Sequence, residues 1–289
     1  MLMSQSTYTL LDSGHFQKLE QVGPYLLVRP AAQAVWRPRL ADSEWQRADA
    51  VFSRFSGGDG KWEVRNRKLP ESWTITMPAV GDLVIRLTDF GHLGIFPEQH
   101  ANWSRLADLV AQRTKQHQET QVLNLFAYTG GSTLACARAG AAVAHLDASK
   151  TSVQWGRENA ERAGLKDKPI RWLVDDVQKF VAREVRRASK YHGIILDPPS
   201  FGRGPKGETW KIEEMLPPLL DDLGQILAPD FSFVLLSSHS AGYTPLALTN
   251  LLGDICPSST GELSSGEMVV LDSAGRALPS GASCLFVKA

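Results

Sequence analysis

Two patterns of apolar and polar positions divide the chain near residue 97. Before it, short segments rich in aromatic and branched residues alternate with turn residues, a pattern typical of β-strands. These segments are Tyr25–Arg29, Ala50–Phe55, Lys61–Arg65, Trp73–Met77 and Leu83–Thr88. We therefore predict a small antiparallel β region over residues 1–97, with a hairpin turn at Gly57–Gly60, because glycine adopts the positive φ that such turns need.

After Pro97 the apolar positions take helical spacing and then alternate between helix and strand periods. Trp103, Leu106, Ala107 and Val110 lie at i, i+3, i+4 and i+7, on one face of a helix. The strands predicted after it are Val122–Phe126, Val143–Asp147, Ile170–Val174, Gly193–Asp197 and Phe231–Ser237, with a hairpin around Gly275 at the end. Because helices separate these strands, residues 98–289 are predicted to form a Rossmann-like α/β domain, an open parallel sheet with helices on both faces.

Composition limits the classes of protein that fit. The chain has 289 residues, of which 43% are hydrophobic and 21% charged, which is typical of a soluble globular protein. No apolar run approaches the roughly 18 residues that cross a bilayer, so we expect a cytoplasmic protein with no membrane partner. The cysteines Cys136, Cys256 and Cys284 are too few and too scattered for a disulfide framework or a zinc cluster, and no metal is expected.

Charge is balanced overall but not along the chain. The formal net charge is zero; residues 98–217 carry 18 basic and 14 acidic residues, and residues 218–289 carry 2 and 7. This balance argues against a chain-wide electrostatic attraction to nucleic acid and leaves room for a local basic patch.

Polar or glycine residues follow each of the first four predicted strands of this domain. In open α/β sheets ligands bind beyond the carboxyl ends of the strands. Gly130 and Gly131 allow close backbone approach at a helix start, whose N–H groups bind anions. Asp147 is placed to accept hydrogen bonds from ribose hydroxyls, and the third and fourth strands end in Asp175-Asp176 and in Asp197–Phe201.

Each of these features also has a purely structural interpretation. Gly130 would suit a tight turn, Asp147 and Asp176 would suit helix N-caps, and Asp197-Pro198-Pro199 would suit a plain turn. Their occurrence at four successive strand ends favours a ligand site. The first loop carries Phe126 and Tyr128 where a dinucleotide-binding loop has glycines, and no Gly-x-x-x-x-Gly-Lys phosphate loop exists. An adenosine without phosphates, as in S-adenosylmethionine, therefore fits better than NAD.

The motifs Asn124–Gly131 and Asp197–Phe201, together with Gly94–Gln99, resemble those of class I S-adenosylmethionine-dependent methyltransferases, most closely the large-subunit ribosomal-RNA base methyltransferases. The resemblance covers about residues 83–240. It implies a seven-stranded sheet with an antiparallel last strand, S-adenosyl-L-methionine as cofactor and S-adenosyl-L-homocysteine as product. The cofactor-binding residues that it implies are Phe126, Ala127, Tyr128, Thr129, Gly130, Gly131, Asp147, Ala148, Asp175, Asp176 and Asp197.

In the same resemblance the loop Phe126–Gly131 holds the methionyl part, Asp147 the ribose and Asp176 the adenine. The catalytic residues that it implies are Asp197, Pro198, Pro199, Ser200 and Phe201. Since proline has no N–H, the Asp-Pro-Pro turn presents only acceptors, which suit an exocyclic amine or a ring N–H of a base. Phe201 is expected either to stack on a flipped-out base or to pack in the core.

Cytosine-5 methylation requires a cysteine nucleophile, and Leu236–Ser240 after the fifth strand has none, which argues against that reaction. His239 in that stretch is interpreted as a polar pocket residue or an ordinary surface histidine. The segment Gly202–Lys211 is interpreted as a mobile lid contacting RNA or as a solvated loop. Its candidate substrate contacts are Arg203, Lys206 and Lys211.

We therefore predict a methyltransferase acting on a nucleobase nitrogen in RNA, ribosomal RNA foremost, with residues 1–97 helping to select the substrate. A methyltransferase for a protein or a small molecule and a non-catalytic cofactor-binding scaffold stay open as alternatives. An NAD-dependent oxidoreductase is the weakest of the alternatives. The oligomeric state is not predicted.

Overall fold

Strands dominate the first hundred residues, and strands alternating with helices make up most of the rest. The computed structural model describes residues 7–55, 60–116, 118–204, 206–256 and 258–289. The chain divides into two units: residues up to His100 with Val269–Ser280, and Ala101–Met268 with Gly281–Ala289. In the described residues, no helix combines the length and the apolar character that crossing a membrane requires.

The first unit is built on a five-stranded sheet and a separate hairpin. Its elements are β1 Tyr8–Gly14, β2 Gln17–Val22, β3 Tyr25–Pro30, α1 Asp42–Gln46, β4 Ala50–Arg54, β5 Gly60–Val64, β6 Ser72–Met77 and β7 Gly81–Arg86. Strands β1 to β5 lie in sequence order, antiparallel except for the parallel pair β3 and β4. Strands β6 and β7 form the hairpin.

The five strands predicted before residue 97 correspond to β3 through β7, whereas β1 and β2 were not predicted. Strands β4 and β5 pair antiparallel on either side of the predicted glycine turn, with Arg54 opposite Gly60. The turn residues 57–59 themselves lie outside the described part of the chain.

The second unit carries the predicted α/β sheet. Its helices are α2 His100–Lys115, α3 Gly131–Ala139, α4 Lys150–Arg162, α5 Val177–Arg186, α6 Ile212–Gln225 and α7 Pro245–Ile255. Its strands are β8 Gln121–Leu125, β9 Ala142–Asp147, β10 Ile170–Val174, β11 Gly193–Leu196, β12 Phe201–Arg203, β13 Thr209–Lys211, β14 Phe233–Ser238, β15 Gly261–Leu271 and β16 Ala277–Lys288. The end of β15 from Val269 and the start of β16 up to Ser280 belong to the first unit. The seven-stranded sheet has the order β10-β9-β8-β11-β14-β16-β15.

The first five strands of this order, β10, β9, β8, β11 and β14, are parallel to one another. Strand β16 is antiparallel to β14. Because successive side chains of a strand point to opposite faces of the sheet, each strand contributes side chains to a hydrophobic core on either face. On β11, Ile194 and Leu196 pack with α5, α6 and α7, whereas Ile195 packs with α2 and α3 on the other face. The predicted fold class, including the antiparallel strand, is confirmed.

Strand order reverses between β8 and β11, since the chain runs outward from β8 through β9 to β10 and then returns to β11. Leu125 and Leu196 are register partners at the carboxyl ends of these two strands. The loops that follow them therefore leave the sheet side by side, at the switch point where open α/β sheets bind ligands.

Candidate functional site

The loop between β8 and α3 has an unusual backbone. Phe126, Tyr128 and Gly130 have φ angles of 55°, 49° and 93°, so every second residue lies in the left-handed region. Only at Gly130 is this free of steric cost, and the conformation at the two aromatic residues is strained. At Gly131 a Cβ would lie 2.5 Å from Cζ2 of Trp103, so a side chain there would collide with α2. Both glycines are therefore required by the path of this loop.

A buried polar network supports this loop from beneath. Asn124 donates to the hydroxyl of Thr133 at 2.9 Å, and that hydroxyl lies 2.9 Å from Nδ1 of His145. Asn159 on α4 donates to the carbonyl of Thr129 at 2.9 Å. All four side chains are buried, so the network joins β8, β9, α3 and α4 under the loop.

Asp147 connects the ends of β8 and β9. Its Oδ2 accepts the N–H of Tyr128 at 2.8 Å, and its Oδ1 accepts the N–H of Ser149 at 2.8 Å. Burial raises the pKa of Asp147, although these two hydrogen bonds oppose the shift. The N-cap of α4 is Ser149 and not Asp147, so the capping interpretation of Asp147 is wrong. Each carboxylate oxygen keeps acceptor capacity for a further donor, and Ala148 beside it is half-buried.

The two aspartates after β10 have structural partners. Asp176 caps α5 by accepting the N–H of Lys179 at 3.0 Å, which is the structural interpretation offered from sequence. Asp175 pairs with Arg183 and accepts the N–H of Asp176. The cap uses one oxygen of Asp176, so the predicted contact with adenine stays a prediction.

The Asp197 carboxylate is held by two residues from the end of β14. Oδ1 accepts the hydroxyl of Ser237 at 2.8 Å and lies 3.6 Å from Nε2 of His239. His239 is exposed, with 35% of its side chain accessible, and its ring also faces the Asp197 carboxylate, so its role in the pocket stays a prediction. Pro198 is buried, whereas Pro199 and Ser200 are exposed, with the Ser200 hydroxyl 2.7 Å from that of Ser240.

Trp210 joins the first loop to the Asp-Pro-Pro turn. Its indole N–H donates to the carbonyl of Pro199 at 2.7 Å, and its ring centroid lies 4.7 Å from that of Phe126. Phe201 is 56% exposed, which excludes the core-packing interpretation. An exposed aromatic ring beside this turn is available for stacking.

The segment after the turn contains paired backbone and is not a plain loop. Strands β12 and β13 pair antiparallel, with Phe201 opposite Lys211 and Arg203 opposite Thr209. Arg203 and Lys206 are exposed, and Lys211 forms a 2.8 Å ion pair with Glu214. Of the predicted substrate contacts, Arg203 and Lys206 thus have cations without an ion pair among the described residues. The described part of this segment ends at Gly204 and resumes at Lys206.

None of the three cysteines has the character of a nucleophile. Cys136, Cys256 and Cys284 are buried, and burial raises the pKa of each, to about 12 for Cys136 and Cys256. A thiol of this pKa carries almost no thiolate at neutral pH. The expectation against covalent cytosine-5 chemistry is thereby strengthened.

Sequence reasoning missed several residues of this site. Ser237, Trp210 and the trio Asn124, Thr133 and His145 touch predicted site residues or support their loops, yet none was singled out for that role. Alternation along β8 and β9 carried a usable signal for the trio, because Asn124 and His145 are polar residues inside buried strands. Nothing in the sequence signals the contact of Trp210 with Phe126.

Comparisons with known proteins agree with this geometry. A family model described as S-adenosylmethionine-dependent methyltransferase matches residues 100–233. A crystal structure of a SAM-dependent methyltransferase from Agrobacterium tumefaciens is 39% identical, with a TM-score of 0.91 over 97% of this chain and 90% of that one. The chain belongs to the S-adenosylmethionine-dependent methyltransferases. The family and cofactor predictions are confirmed, and the oxidoreductase alternative is excluded.

Two curated relatives match a little over half of this chain. Ribosomal RNA large subunit methyltransferase I of Aeromonas salmonicida is 35% identical over 160 residues, 55% of this chain and 39% of that protein. Ribosomal RNA large subunit methyltransferase K/L of Vibrio cholerae is 29% identical over 154 residues, 53% of this chain and 20% of that protein. The chain thus matches less than half of the length of either relative.

The residues present fit this cofactor. The carboxylate of Asp147 has acceptor capacity that suits ribose hydroxyls. The loop ends at the start of α3, and the free N–H groups of a helix start suit an amino-acid carboxylate. No basic side chain lies in the loop Phe126–Gly131, as expected for a ligand without phosphates.

Proposed function

We propose that this protein transfers a methyl group from S-adenosylmethionine to a nitrogen of a nucleobase in RNA, ribosomal RNA foremost. The observation that carries the proposal is the Asp197 carboxylate, oriented by Ser237 and His239 beside the exposed ring of Phe201. We further propose a cytoplasmic location, where such RNA is found.

Three groups of residues would hold the cofactor. The loop Phe126–Gly131 would surround the methionyl part, Asp147 would accept hydrogen bonds from the ribose hydroxyls, and Asp176 would face the adenine. When bound, S-adenosylmethionine supplies an electrophilic methyl group on a positively charged sulfur. The chain would therefore need mainly to align the acceptor nitrogen and to exclude water from it.

The Asp-Pro-Pro turn offers hydrogen-bond acceptors to the acceptor nitrogen. The Asp197 carboxylate and a backbone carbonyl would accept its N–H groups and so aim its lone pair. Ser237 orients the carboxylate by occupying Oδ1, and the His239 ring next to it is placed to receive a proton at Nε2. Trp210 fixes the Pro199 carbonyl, so the rim of acceptors is rigid.

Phe201 and the neighbouring cations support a base in RNA as the substrate. An exposed aromatic ring stacks on an unpaired base, a contact worth about 1–3 kcal/mol. Arg203 and Lys206 follow it, and exposed cations there suit the phosphates of the same strand. The ribosomal-RNA methyltransferases among the relatives support the same substrate class.

Methyl transfer onto purified RNA tests the proposal. The full-length protein is incubated with S-adenosylmethionine carrying a labelled methyl group and with RNA from a strain lacking the gene or from the wild type. Label entering only the RNA of the deletion strain, recovered after digestion as a base methylated on nitrogen, is the expected result. The variant Asp197→Ala serves as the inactive control.

Other outcomes would contradict the proposal in distinct ways. Label in neither RNA but in the protein or metabolite fraction of the deletion strain would assign a different acceptor. Cofactor binding without transfer to any fraction would favour a non-catalytic scaffold. Label on carbon 5 of a pyrimidine would overturn the assignment to nitrogen.

A further inference from the structure

The two-residue turn between β1 and β2 has a backbone unusual for the residues that form it. Gly14 pairs with Gln17, so His15 and Phe16 are the central residues. Their φ angles are 48° and 62°, values of a type I′ turn, which strongly prefers asparagine and glycine. Bulky side chains are strained in this region, and such strain persists where the surrounding structure enforces it.

Backbone hydrogen bonds from a neighbouring segment enforce this turn. The N–H groups of His15 and Phe16 donate to the carbonyls of Trp36 and Ala34, each at 2.8 Å, and the N–H of Ala31 donates to the carbonyl of Phe16 at 2.7 Å. Any pair of residues that adopts the turn makes these bonds. The side chains of His15 and Phe16 are therefore not needed to build it.

These side chains also contribute little to packing. Phe16 is 59% exposed, Val35 in the adjacent segment is 67% exposed, and His15 is exposed as well. The turn thus holds an aromatic ring in a strained conformation and leaves most of its surface in water. Either Asn-Gly or Gly-Gly would form the turn with less backbone strain. The strain and the exposure together therefore indicate that the His15 and Phe16 side chains have a role other than stabilising the fold.

Arginines lie in and beside the segment to which this turn is hydrogen-bonded. Arg37 and Arg39 are exposed, and the guanidinium of Arg276 lies 5.8 Å from the ring centroid of Trp36, with Nη1 3.2 Å from the carbonyl of Arg37. Within the part of the chain that the structure describes, none of these three arginines forms an ion pair with a carboxylate. Their charges therefore remain available for phosphates.

Two carboxylates of this region, Asp12 and Asp272, are turned inward. Asp12 is buried and accepts the N–H groups of Arg39 and Leu40, each at 2.8 Å. Asp272 is buried and accepts the N–H of Arg276 at 2.8 Å. Neither carboxylate therefore forms an ion pair with these arginines, and Asp42, three residues after Arg39, is the exposed acid nearest to them along the chain.

We propose that this turn surface binds a single-stranded segment of the RNA substrate. It consists of His15, Phe16, Val35, Arg37, Arg39 and Arg276. Phe16 stacks on an unpaired base, and the guanidiniums contact the flanking phosphates, the combination that single-strand binders use. The inference rests on the proposed function, since it takes RNA as the substrate.

The double substitution His15→Asn with Phe16→Gly separates binding from folding. It installs the residues that the turn prefers, so the melting temperature is expected to rise. Affinity for a short labelled single-stranded RNA, measured by fluorescence anisotropy, is expected to fall at least about fivefold, the lower end of base–aromatic stacking. A structural role for these side chains predicts the opposite effect on the melting temperature.

Single substitutions at Phe16 add a test in which neither new residue is one that the turn prefers. Phe16→Trp should retain RNA binding and Phe16→Leu should lose it, because only the aromatic ring stacks. Phe90→Leu is the matched control, since Phe90 in the same unit is 57% exposed. Calorimetry with S-adenosylmethionine should give the same affinity for every variant.

Three results would overturn the inference. Unchanged RNA affinity in the double variant and in Phe16→Leu, with the wild type binding RNA, would refute the turn surface alone. A wild-type protein that neither binds nor methylates RNA would refute the RNA substrate as well. A change in oligomeric state in place of RNA affinity, measured by sedimentation, would assign this surface to a second copy of the chain.

Discussion

The hydroxyl of Thr133 lies 2.9 Å from Nδ1 of His145, and both side chains are inaccessible to solvent. This contact joins the first turn of α3 to the middle of β9, directly beneath the loop that starts at Phe126. A polar pair in this position is stable only while the ring stays neutral, because a buried charge without a counter-ion is costly.

Titration of His145 should make folding sensitive to pH. Burial lowers its pKa from 6.5 to about 3, against an opposing hydrogen bond with the Tyr128 backbone. The unfolded chain therefore binds a proton between these values that the folded chain does not. Above pH 6.5 the His145 ring is neutral in both states and does not reduce the free energy of unfolding. Below that pH the free energy of unfolding falls by about 1.4 kcal/mol per pH unit.

Urea unfolding across this pH range checks the prediction with His145→Gln, whose amide does not titrate. Its unfolding free energy should vary less steeply with pH than that of the wild type. Equal slopes for His145→Gln and the wild type would refute the neutral buried ring.

Asp147→Ala should abolish measurable binding of S-adenosylmethionine. The substitution removes the proposed ribose acceptor and also the anchor of the Tyr128 N–H. Two hydrogen bonds to a charged group, at about 1.5–3 kcal/mol each, correspond to a loss of at least about 100-fold. Calorimetry measures it, with Asp167→Ala at an exposed turn as control. An unchanged affinity would remove the ribose assignment.

The same site predicts a dependence of affinity on pH. The ionised Asp147 is the form that accepts hydrogen bonds, and burial raises its pKa above the usual 3.8. Affinity should therefore be complete at neutral pH and begin to fall at a higher pH than for an ordinary aspartate. In Asp147→Asn the affinity for S-adenosylmethionine should no longer depend on pH in this way. If the pH dependence persists in this variant, a group other than Asp147 causes it.

Ser237→Ala should slow turnover without weakening cofactor binding. Its hydroxyl donates to Asp197 at 2.8 Å and so sets the direction of the carboxylate. Losing a hydrogen bond to a charged group costs about 1.5–3 kcal/mol, or about 10- to 100-fold in kcat. Steady-state kinetics gives kcat, and calorimetry gives the Kd of the cofactor. A fall in cofactor affinity with unchanged kcat would contradict the positioning role.

Phe201→Leu should lower kcat/KM for RNA while leaving the fold intact. Stacking of one base on an aromatic ring is worth about 1–3 kcal/mol, so the expected loss is about fivefold or more. The side chain is 56% exposed, and its replacement should change the unfolding free energy by no more than about 0.5 kcal/mol. Phe201→Trp should retain activity, and Leu246→Ala, at a residue 69% exposed, is the control. Full activity of Phe201→Leu would exclude stacking.

Glu20→Gln should destabilise the first unit. Glu20 and Arg29 form a buried pair at 2.6 Å, and although burial alone would raise the pKa of Glu20, Arg29 and Lys18 lower it to about 2. Removing the negative charge leaves Arg29 buried and uncompensated, at a cost of about 3–5 kcal/mol. Glu20→Leu with Arg29→Met should restore most of the stability measured by urea unfolding.

The contribution of Glu20 should also depend on pH. Its pKa is lower in the folded chain than the ordinary 4.5, so the stability from its charge is complete above that pH. This stability is lost as the pH falls toward about 2. The difference between the wild type and Glu20→Gln should therefore shrink with acidification, and a constant difference would refute the charged pair.

Much of the fold could be predicted because each element carries its own signal. The α/β strands were recognised from short apolar runs between helical periods, and Asp147 and Asp197 from their positions at strand ends. Strands β1 and β2 were not predicted because the turn between them, His15-Phe16, contains neither glycine nor asparagine. Glycine in that turn would have made the hairpin recognisable.

The interior of the candidate site was beyond sequence reasoning for a different reason. Ser237 and Asp197 are 40 residues apart, and Trp210 and Phe126 are separated even further along the chain. Whether such residues touch depends on strand order and on how helices pack against the sheet, which no local pattern records.

The sequence by itself determined the alternation of strands and helices, the acidic and glycine residues at the strand ends and the class of ligand that these suit. Periodicity and local residue chemistry act over a few neighbouring positions, so they can be recognised without a structure. Only the tertiary structure decided that Asp197 is oriented by Ser237 and His239, that Phe201 is exposed and that a strained His15-Phe16 turn faces solvent. Those facts arise from contacts between distant segments, whose geometry is set by the packing of the whole unit.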